Sequence, residues 1–391
     1  MRTAIVGGGA AGFFLAVNLK EMAPQMKVVI FEAGQRVLRK VRVSGGGRCN
    51  CTNTFEGVTD LAQVYPRGHR LMKRLFHTFG PQDAYQWFEQ HGVRLTTQPD
   101  GCVFPASQDS RTIIQCFLGE AHRLGVEVVT GRRIQDIDEL KEYDAIVVTT
   151  GGGALPWKGQ EEGILCPSLF TFNIEDEALR QLMGTVVETA TVGLCGTKFK
   201  ADGPLLITHW GASGPAILRL SSYAALHLFE QNYHATLSVN WLSLPDDEVK
   251  LILSQTTQQH PQKQVASVNA FGLPTRLWLH LTTKACVTKR WNELNAKDMN
   301  RLTNVLTNDT YPISGRSTWK EEFVTCGGVS LHCINPNTLE SRTRPSLYFA
   351  GEVLDIDGVT GGFNFQAAWT TAYCAAKAIA EKSAHLSQTI H

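Results

Sequence analysis

No apolar run in this 391-residue chain reaches the ~18–20 residues that a membrane-spanning helix requires, so no membrane association is expected. An excess of charge of one sign is also missing. Thirty-seven Lys and Arg stand against 36 Asp and Glu, for a net charge of +1, and the basic residues are scattered along the chain. Neither a nucleic-acid stripe nor a membrane-binding face is therefore expected, and a small-molecule partner is the default. The ten cysteines follow no disulfide framework. Cys49-Asn50-Cys51 is too tight for a Cys-x-x-Cys redox or zinc pair, so the cysteines read as free thiols, mostly core fillers, and no metal is expected. A cleaved signal peptide is excluded because cleavage would destroy the first strand, and the expected location is cytoplasmic. At this length two or three domains are expected, with an ordinary apolar fraction of 43%.

What is present begins at the N-terminus. Thr3-Ala4-Ile5-Val6 is a short buried-strand pattern, Gly7-Gly8-Gly9-Ala10-Ala11-Gly12 fits G-x-G-x-x-G, and Phe13 to Met22 is helix-compatible and apolar. Lys27-Val28-Val29-Ile30-Phe31 is a second strand that ends on Glu32 and Ala33. This is a βαβ dinucleotide fingerprint in its full context. Gly7 permits the turn, Gly9 lets a pyrophosphate approach the backbone, and Gly12 lets helix pack on strand. The diphosphate then meets free amides at the positive helix end. Glu32 can accept from both hydroxyls of an adenosine ribose and repels a 2′-phosphate, which favours FAD or NAD over NADP.

A basic segment with Arg36, Arg39, Lys40 and Arg42 runs into Ser44-Gly45-Gly46-Gly47-Arg48-Cys49-Asn50-Cys51-Thr52-Asn53. Glycine costs conformational entropy on folding, so three in a row suggest backbone lying against a flat ligand, with Arg48 or Lys40 facing phosphate or a flavin edge. A plain flexible loop with solvated charges is the alternative. Tyr65 to Gly92 reads as helical and rich in aromatic and basic residues. Ile113 to Leu124 reads as an amphipathic helix, and Val126 to Val129 as a strand that runs past the adenine, with Ile134 beside it. Tyr143 to Thr149 is another buried strand. Its Gly-rich turn, Thr150-Gly151-Gly152-Gly153, either closes on the same nucleotide or is purely structural.

From Ala154 the pattern changes to short strand-like runs, then becomes helical between Asp246 and Arg316. Within it His209-Trp210-Gly211-Ala212-Ser213-Gly214-Pro215 is expected to join a strand to a helix, with Ser213 as cap and Pro215 in the first turn. His209 is either an acid–base group over the flavin or a histidine hydrogen-bonded within the turn. Ser346 to Phe349 then returns to strand grammar, ending on Gly351-Glu352, and the Asp357 to Asn364 segment leads through Gly361, Gly362 and Phe363 into a helix to about Lys382. An acid at a strand end suits a ribityl hydroxyl, and a glycine-led helix start suits the pyrimidine edge of a flavin. FAD, extended between both ends of the chain, explains this second constellation.

At these residues the chain resembles bacterial FAD proteins that include aminoacetone oxidase and a proposed bile-acid enoate reductase. The resemblance rests on Gly7 to Gly12, Ser44 to Asn53, Thr150 to Gly153, Thr208 to Pro215 and Val324 to Gln366. It implies an α/β fold, a Rossmann-type FAD domain of the glutathione-reductase kind, interrupted by a β-barrel-like domain with a helical appendage. The expected bounds are 1–153 with 325–391 for the FAD domain and 154–324 for the insertion, β-rich to 245 and mainly helical beyond. It further implies flavin contacts from Glu32, Lys40, Ser44, Arg48, Gly351, Glu352, Phe363 and Asn364. Where the family has Ser-Tyr-Pro and a Ser-Thr-Gly turn opening a helix, this chain has Ala154-Leu155-Pro156 and Gln160 to Gly163, an abridged segment.

The expected function is an FAD-dependent oxidoreductase that moves a hydride between flavin N5 and a small organic substrate, by amine oxidation or by enone or alkene reduction. His209 and Arg48 are the catalytic candidates. Two alternatives stand beside it: an FAD protein with a structural or sensing role and no turnover, and an NAD(P)H-driven reductase with NAD(P)H as transient donor. The last lacks a second full G-x-G-x-x-G.

Overall fold

The computed structural model describes residues 1–153, 163–317 and 324–389. The chain divides into two compact units, Met1–Pro167 with Trp319–His391, and Ser168–Thr318. The abridged segment after Gly153 falls on 154–162, outside the described residues.

The first unit is built on a five-stranded parallel sheet. Its strands are β1 (Arg2–Val6), β2 (Lys27–Glu32), β3 (Glu127–Thr130), β4 (Ala145–Val148) and β5 (Leu347–Phe349), in the order β5-β4-β1-β2-β3. Ala4, Ile5, Val28, Ile30, Val147 and Phe349 are buried, as expected for parallel strands covered on both faces. The helices of this unit are α1 (Ala10–Met22), α2 (Arg39–Gly47), α3 (His69–Leu75), α4 (Pro81–Gln90), α5 (Arg111–Arg123) and α6 (Phe363–Thr389). The helical stretch expected from Tyr65 to Gly92 is therefore two helices. Pro81 lacks an amide and so begins α4, where Asp83 Oδ2 accepts from Gly80 N at 2.7 Å. The terminal helix α6 runs beyond Lys382 to Thr389.

An aromatic cluster holds α1 against α4, α5 and α6. Phe14 lies 5.1 Å from Trp369, 4.5 Å from Trp87 and 6.3 Å from Phe117, centroid to centroid. Each of these rings buries on the order of 150–250 Å², so this cluster dominates the local hydrophobic energy. Trp369 Nε1 also donates to Cys51 O at 2.7 Å, which ties α6 to the chain that follows α2. None of the ten cysteines forms a disulfide among the described residues, and six are buried. Burial pushes the Cys49 and Cys374 thiols up to about 12, so these are fillers and not nucleophiles.

The second unit contains a closed six-stranded antiparallel barrel. Its strands are Phe172–Ile174, Val186–Leu194, Lys200–Thr208, Gly211–Ser213, Ala235–Asn240 and Asp309–Arg316. The helices Asp246–Gln259, Thr275–Lys284 and Ala296–Thr307 come before the last strand, so the barrel closes only after the helical segment. The expected cap is corrected here. Ser213 pairs with Leu206 in the ladder, and Gly214, at φ +94°, starts the helix Pro215–Tyr223. A Cβ at Gly214 would lie 2.7 Å from Pro204 O, so glycine is required there. His209-Trp210 is accordingly a hairpin turn and not a strand-to-helix junction. Among the described residues no helix is long and apolar enough to cross a membrane.

On the surface of the first unit His91 closes a network that joins α1, α4 and α5. Its Nε2 lies 3.1 Å from Glu21 Oε1 and its Nδ1 2.7 Å from Trp87 O, while Arg123 reaches Glu21 at 3.4 Å and pairs with Glu120. Burial disfavours the charged ring, but its bonds to Glu21 and the Trp87 carbonyl outweigh that and hold the His91 pKa above its ordinary value. The resulting stabilisation is complete below the unfolded pKa of ~6.5 and is lost as pH rises through the higher folded value. Urea unfolding should therefore show stability falling by under about 1 kcal/mol as pH rises from acid through neutral. His91→Gln should remove that component; an unchanged pH slope in the variant would assign it elsewhere.

Candidate functional site

The carboxyl ends of β1, β2, β4 and β5 converge. Gly7, at φ +118°, leaves no room for a side chain, since a Cβ there would lie 2.4 Å from Thr149 O. Thr149 Oγ1 donates to Gly7 O at 2.9 Å and fixes the turn. A Cβ at Gly12 would lie 2.1 Å from Gly7 O, so α1 packs directly on the strand end. At Gly9 a Cβ would meet no protein atom within 4 Å, and α1 has no side-chain cap. The first-turn amides of α1, beginning at Ala10 and Ala11, thus lack both intrahelical and side-chain acceptors. This donor set suits a diphosphate.

Glu32 is held from two sides. Its Oε2 accepts from Gly8 N at 2.9 Å and its Oε1 from Gly34 N at 2.7 Å. Each oxygen keeps a further lone pair for a ribose hydroxyl. Arg132 N donates to Glu32 O at 3.0 Å, which brings the segment after β3, with buried Ile134, alongside β2. Ala33 and Arg39 are exposed at the same end.

The opposite half joins β4 to β5. Gly351, at φ +78°, would place a Cβ 2.8 Å from the Ala11 Cβ, so the last strand end touches α1. Glu352 accepts from Thr325 N at 2.9 Å and from Lys40 Nζ at 2.8 Å. Lys40 thus pairs with the expected ribityl acid. Gly152 has no space for a Cβ, which would lie 2.1 Å from Thr325 Oγ1, and Gly151 lies against Glu352 Oε2. Thr150, the residue after Thr149, is exposed.

The glycine-rich segment after Lys40 is a helix broken by left-handed residues. Ser44 is extended, and Gly45, Gly46, Gly47 and Cys49 have φ between +56° and +82°. The segment turns back so that Asn50 accepts from Gly362 N at 3.2 Å and Asn53 Nδ2 donates to Gly361 O at 2.9 Å. It therefore docks against the start of α6. Arg48 lies over the Phe104 ring, 4.3 Å from its centroid, and its Nε donates to Gly45 O at 3.2 Å. Asn364 uses its side chain inside the protein, bonding the amide and the carbonyl of Gly358, both at 2.8 Å. What it can offer a ligand is its backbone amide, one of the first-turn donors of α6 together with that of Phe363.

Arg67 and Tyr65 carry no sequence signature, whereas Asp357, expected among the cofactor contacts, is buried against Arg67. Arg67 makes a bidentate ion pair with Asp357, which is fully buried, across 290 residues. Burial opposes charge on Arg67, but the Asp357 carboxylate outweighs it and raises its pKa. Asp355 is pushed up by burial and by Asp357, with Arg67 opposing. Tyr65 Oη donates to Phe363 O at 2.8 Å. His209 belongs to the barrel unit, where it is exposed and packs edge-on against Trp210 at 4.4 Å.

Two substitutions separate ligand contact from packing. Gly12→Ala should destabilise the apo-protein by about 1–3 kcal/mol through overpacking. Gly9→Ala should change apo stability by less than about 0.5 kcal/mol while raising the FAD dissociation constant at least ~10-fold. Unaltered FAD affinity in Gly9→Ala, read by fluorescence titration, would move the diphosphate elsewhere. A further expectation concerns Asp357: Arg67→Met removes the guanidinium from that buried carboxylate and should cost about 3–5 kcal/mol in denaturant unfolding.

Among solved structures, the chain superposes on 3-ketosteroid delta1-dehydrogenase from Sterolibacterium denitrificans, in complex with 1,4-androstadiene-3,17-dione, with a TM-score of 0.47 at 11% identity, covering 97% of this chain and 99% of that one. It is 24% identical to the 3-dehydro-bile acid delta(4,6)-reductase of Clostridium scindens, over 97% of this chain and 99% of that protein. It is 30% identical to the ribosomal RNA dihydrouridine synthase of Escherichia coli K12, over 97% of this chain and 98% of that protein. Residues 1–378 match the family described as HI0933-like protein Rossmann domain. With a family match across nearly the whole chain, and a strand-end site whose donors suit a dinucleotide, the protein belongs to the HI0933-like Rossmann family of flavoprotein oxidoreductases, and its cofactor is FAD.

Proposed function

We propose that this protein reduces a carbon–carbon double bond conjugated to a carbonyl. One observation carries the reading: two relatives that align along their full length, at 30% and 24% identity, are named for substrates of unrelated shape but for one chemical act. Forming dihydrouridine saturates the double bond of a uracil ring, and a 3-dehydro delta(4,6) bile acid carries its double bonds in conjugation with a ketone. Once reduced by a donor of the NAD(P)H class, FAD held at this site would supply the electron pair as a hydride for the carbon β to the carbonyl.

The chain's own part is to bind, orient and supply charge. Glu32 takes the adenosine ribose, the α1 start takes the diphosphate, and Glu352, steadied by Thr325 and Lys40, takes the ribityl chain. The amides of Phe363 and Asn364, aligned with the α6 dipole, stabilise negative charge on the pyrimidine edge. The left-handed Gly45, Gly46, Gly47 and Cys49, flanked by Ser44 and Asn50, form the turn that lies along the ring, and Arg48 polarises the substrate carbonyl. The Arg67–Asp357 pair sets the loop that carries Gly361 and Gly362.

The test begins with the holoprotein reduced anaerobically and mixed in turn with cyclic enones, uridine-containing oligonucleotides and oxygen. Flavin absorbance should recover faster with at least one activated alkene than with buffer, with one saturated product per flavin. Bleaching of the oxidised protein by primary amines, without reoxidation by any alkene, would favour the amine-oxidase reading. Inertness toward every substrate would leave a binding protein.

A further inference from the structure

The chain leaves the first unit just after Cys166 and is back in it before Cys326, and within that unit the two stretches lie side by side. Strand Cys166–Ser168 pairs with Val324–Cys326 in a two-stranded sheet. Gly163 N donates to Gly328 O at 3.0 Å, and a Cβ on Gly327 would lie 2.2 Å from Ile164 O, so the stretches touch beyond the sheet as well. The Cys326 thiol is hydrogen-bonded to that of Cys166, and both residues are buried. Cys49 and Cys51 differ, although they are close in sequence: Cys51 Sγ donates to Val103 O at 3.3 Å. Thr325, next to Cys326, donates its amide to Glu352 Oε1 at 2.9 Å, and its Oγ1 fills the space beside Gly152.

We infer that Cys166 and Cys326 are a site of oxidative modification, a dithiol that hydrogen peroxide closes to a disulfide, fixing the strand that aligns Glu352. Peroxide is the two-electron product of a reduced flavin with oxygen, so an FAD protein left reduced without its substrate makes this oxidant itself. The Cys166 sulfur attacks one peroxide oxygen and the O–O bond breaks, giving a sulfenic acid and one water that carries the thiol proton. The Cys326 sulfur then displaces that hydroxyl, which leaves as a second water with the Cys326 proton, and the S–S bond holds the two-electron oxidation. Its bond to Cys166 and its burial push the Cys326 thiol well up, with Arg67 opposing, so Cys326 keeps its proton and acts second. Two strands of three residues make a marginal pairing, and local opening admits peroxide without global unfolding. Once closed, the bond links the ends of a loop of about 160 residues and orders the Thr325 amide in advance of ligand. The disulfide itself does not depend on the activated-alkene reading; its link to FAD depends on Glu352 facing the cofactor.

The experiment needs no substrate. Holoprotein carrying Cys195→Ser and Cys286→Ser, which removes the two exposed thiols, is treated with a few equivalents of hydrogen peroxide, quenched with catalase and denatured. Maleimide-reactive thiols should fall from eight to six. Peptide mass spectrometry should find Cys166 joined to Cys326, and the non-reduced chain should migrate faster in a denaturing gel because a long loop is closed. Dithiothreitol should reverse both changes. Adding Cys166→Ser or Cys326→Ser should abolish the faster band. FAD should dissociate more slowly from the cross-linked protein than from the same protein after dithiothreitol, and peroxide should leave FAD release unchanged in the Cys166→Ser protein.

Four outcomes overturn the inference: eight thiols persisting after peroxide, sulfinic acid at either cysteine with no cross-link, a cross-link to a different cysteine, or a faster band that survives Cys166→Ser. Equal FAD release from the cross-linked and the reduced protein overturns the link to Glu352. Should either serine variant lose its FAD on purification, the cross-linked peptide of the parent protein decides alone.

Discussion

The structure depends on one close approach, that of α1 to the end of β1. Because Gly12 has no Cβ, the helix axis comes near enough for the Gly7 carbonyl to sit where a methyl group would be. That contact aims the positive end of α1 along the strand axis and toward the sheet's carboxyl edge. It also sets the depth at which Phe14 enters the space between α4, α5 and α6. A larger residue would push the helix outward, and both the anion-facing amides and the aromatic packing would shift with it.

The site illustrates how a glycine-rich strand edge is kept rigid. Backbone groups that would otherwise be loose are tied by side chains at the strand ends: Thr149 on Gly7, Glu32 on Gly8 and Gly34, Glu352 on Thr325. Each such bond contributes about 0.5–1.5 kcal/mol, more where a carboxylate accepts. Their larger effect is on order, because a cradle of amides binds an anion well only if the amides are already aligned.

What could be read from the residues alone was local and periodic. The first strand, the glycine loop and Glu32 stand within one stretch of chain and obey one geometry, so their spacing specifies their structure. The same holds for the last buried strand, Leu347–Phe349, and the helix start at Phe363. Three kinds of feature were not legible. Short pairings such as Gly211–Ser213 are too brief for a period, so the hairpin at His209 passed for a helix entry. Partners far apart in sequence, such as Arg67 and Asp357, leave no mark, because an ion pair constrains distance and not composition. The grouping of Arg70, Lys73 and Arg74 emerges only when helical periodicity folds a scattered set of charges onto one face.

The sheet order carries a consequence for synthesis. Strand β5 pairs with β4, yet some two hundred residues separate them, including the whole barrel unit. While a ribosome is making the middle of the chain, the parallel sheet is one strand short and Phe14 lacks Trp369. The barrel, by contrast, is complete once Arg316 has emerged. The nascent chain therefore exposes an unfinished, apolar α/β half beside an already closed insertion, and cofactor loading has to wait for the last seventy or so residues. In a cell this order makes the nucleotide-binding half, and not the barrel, the part that needs chaperone protection.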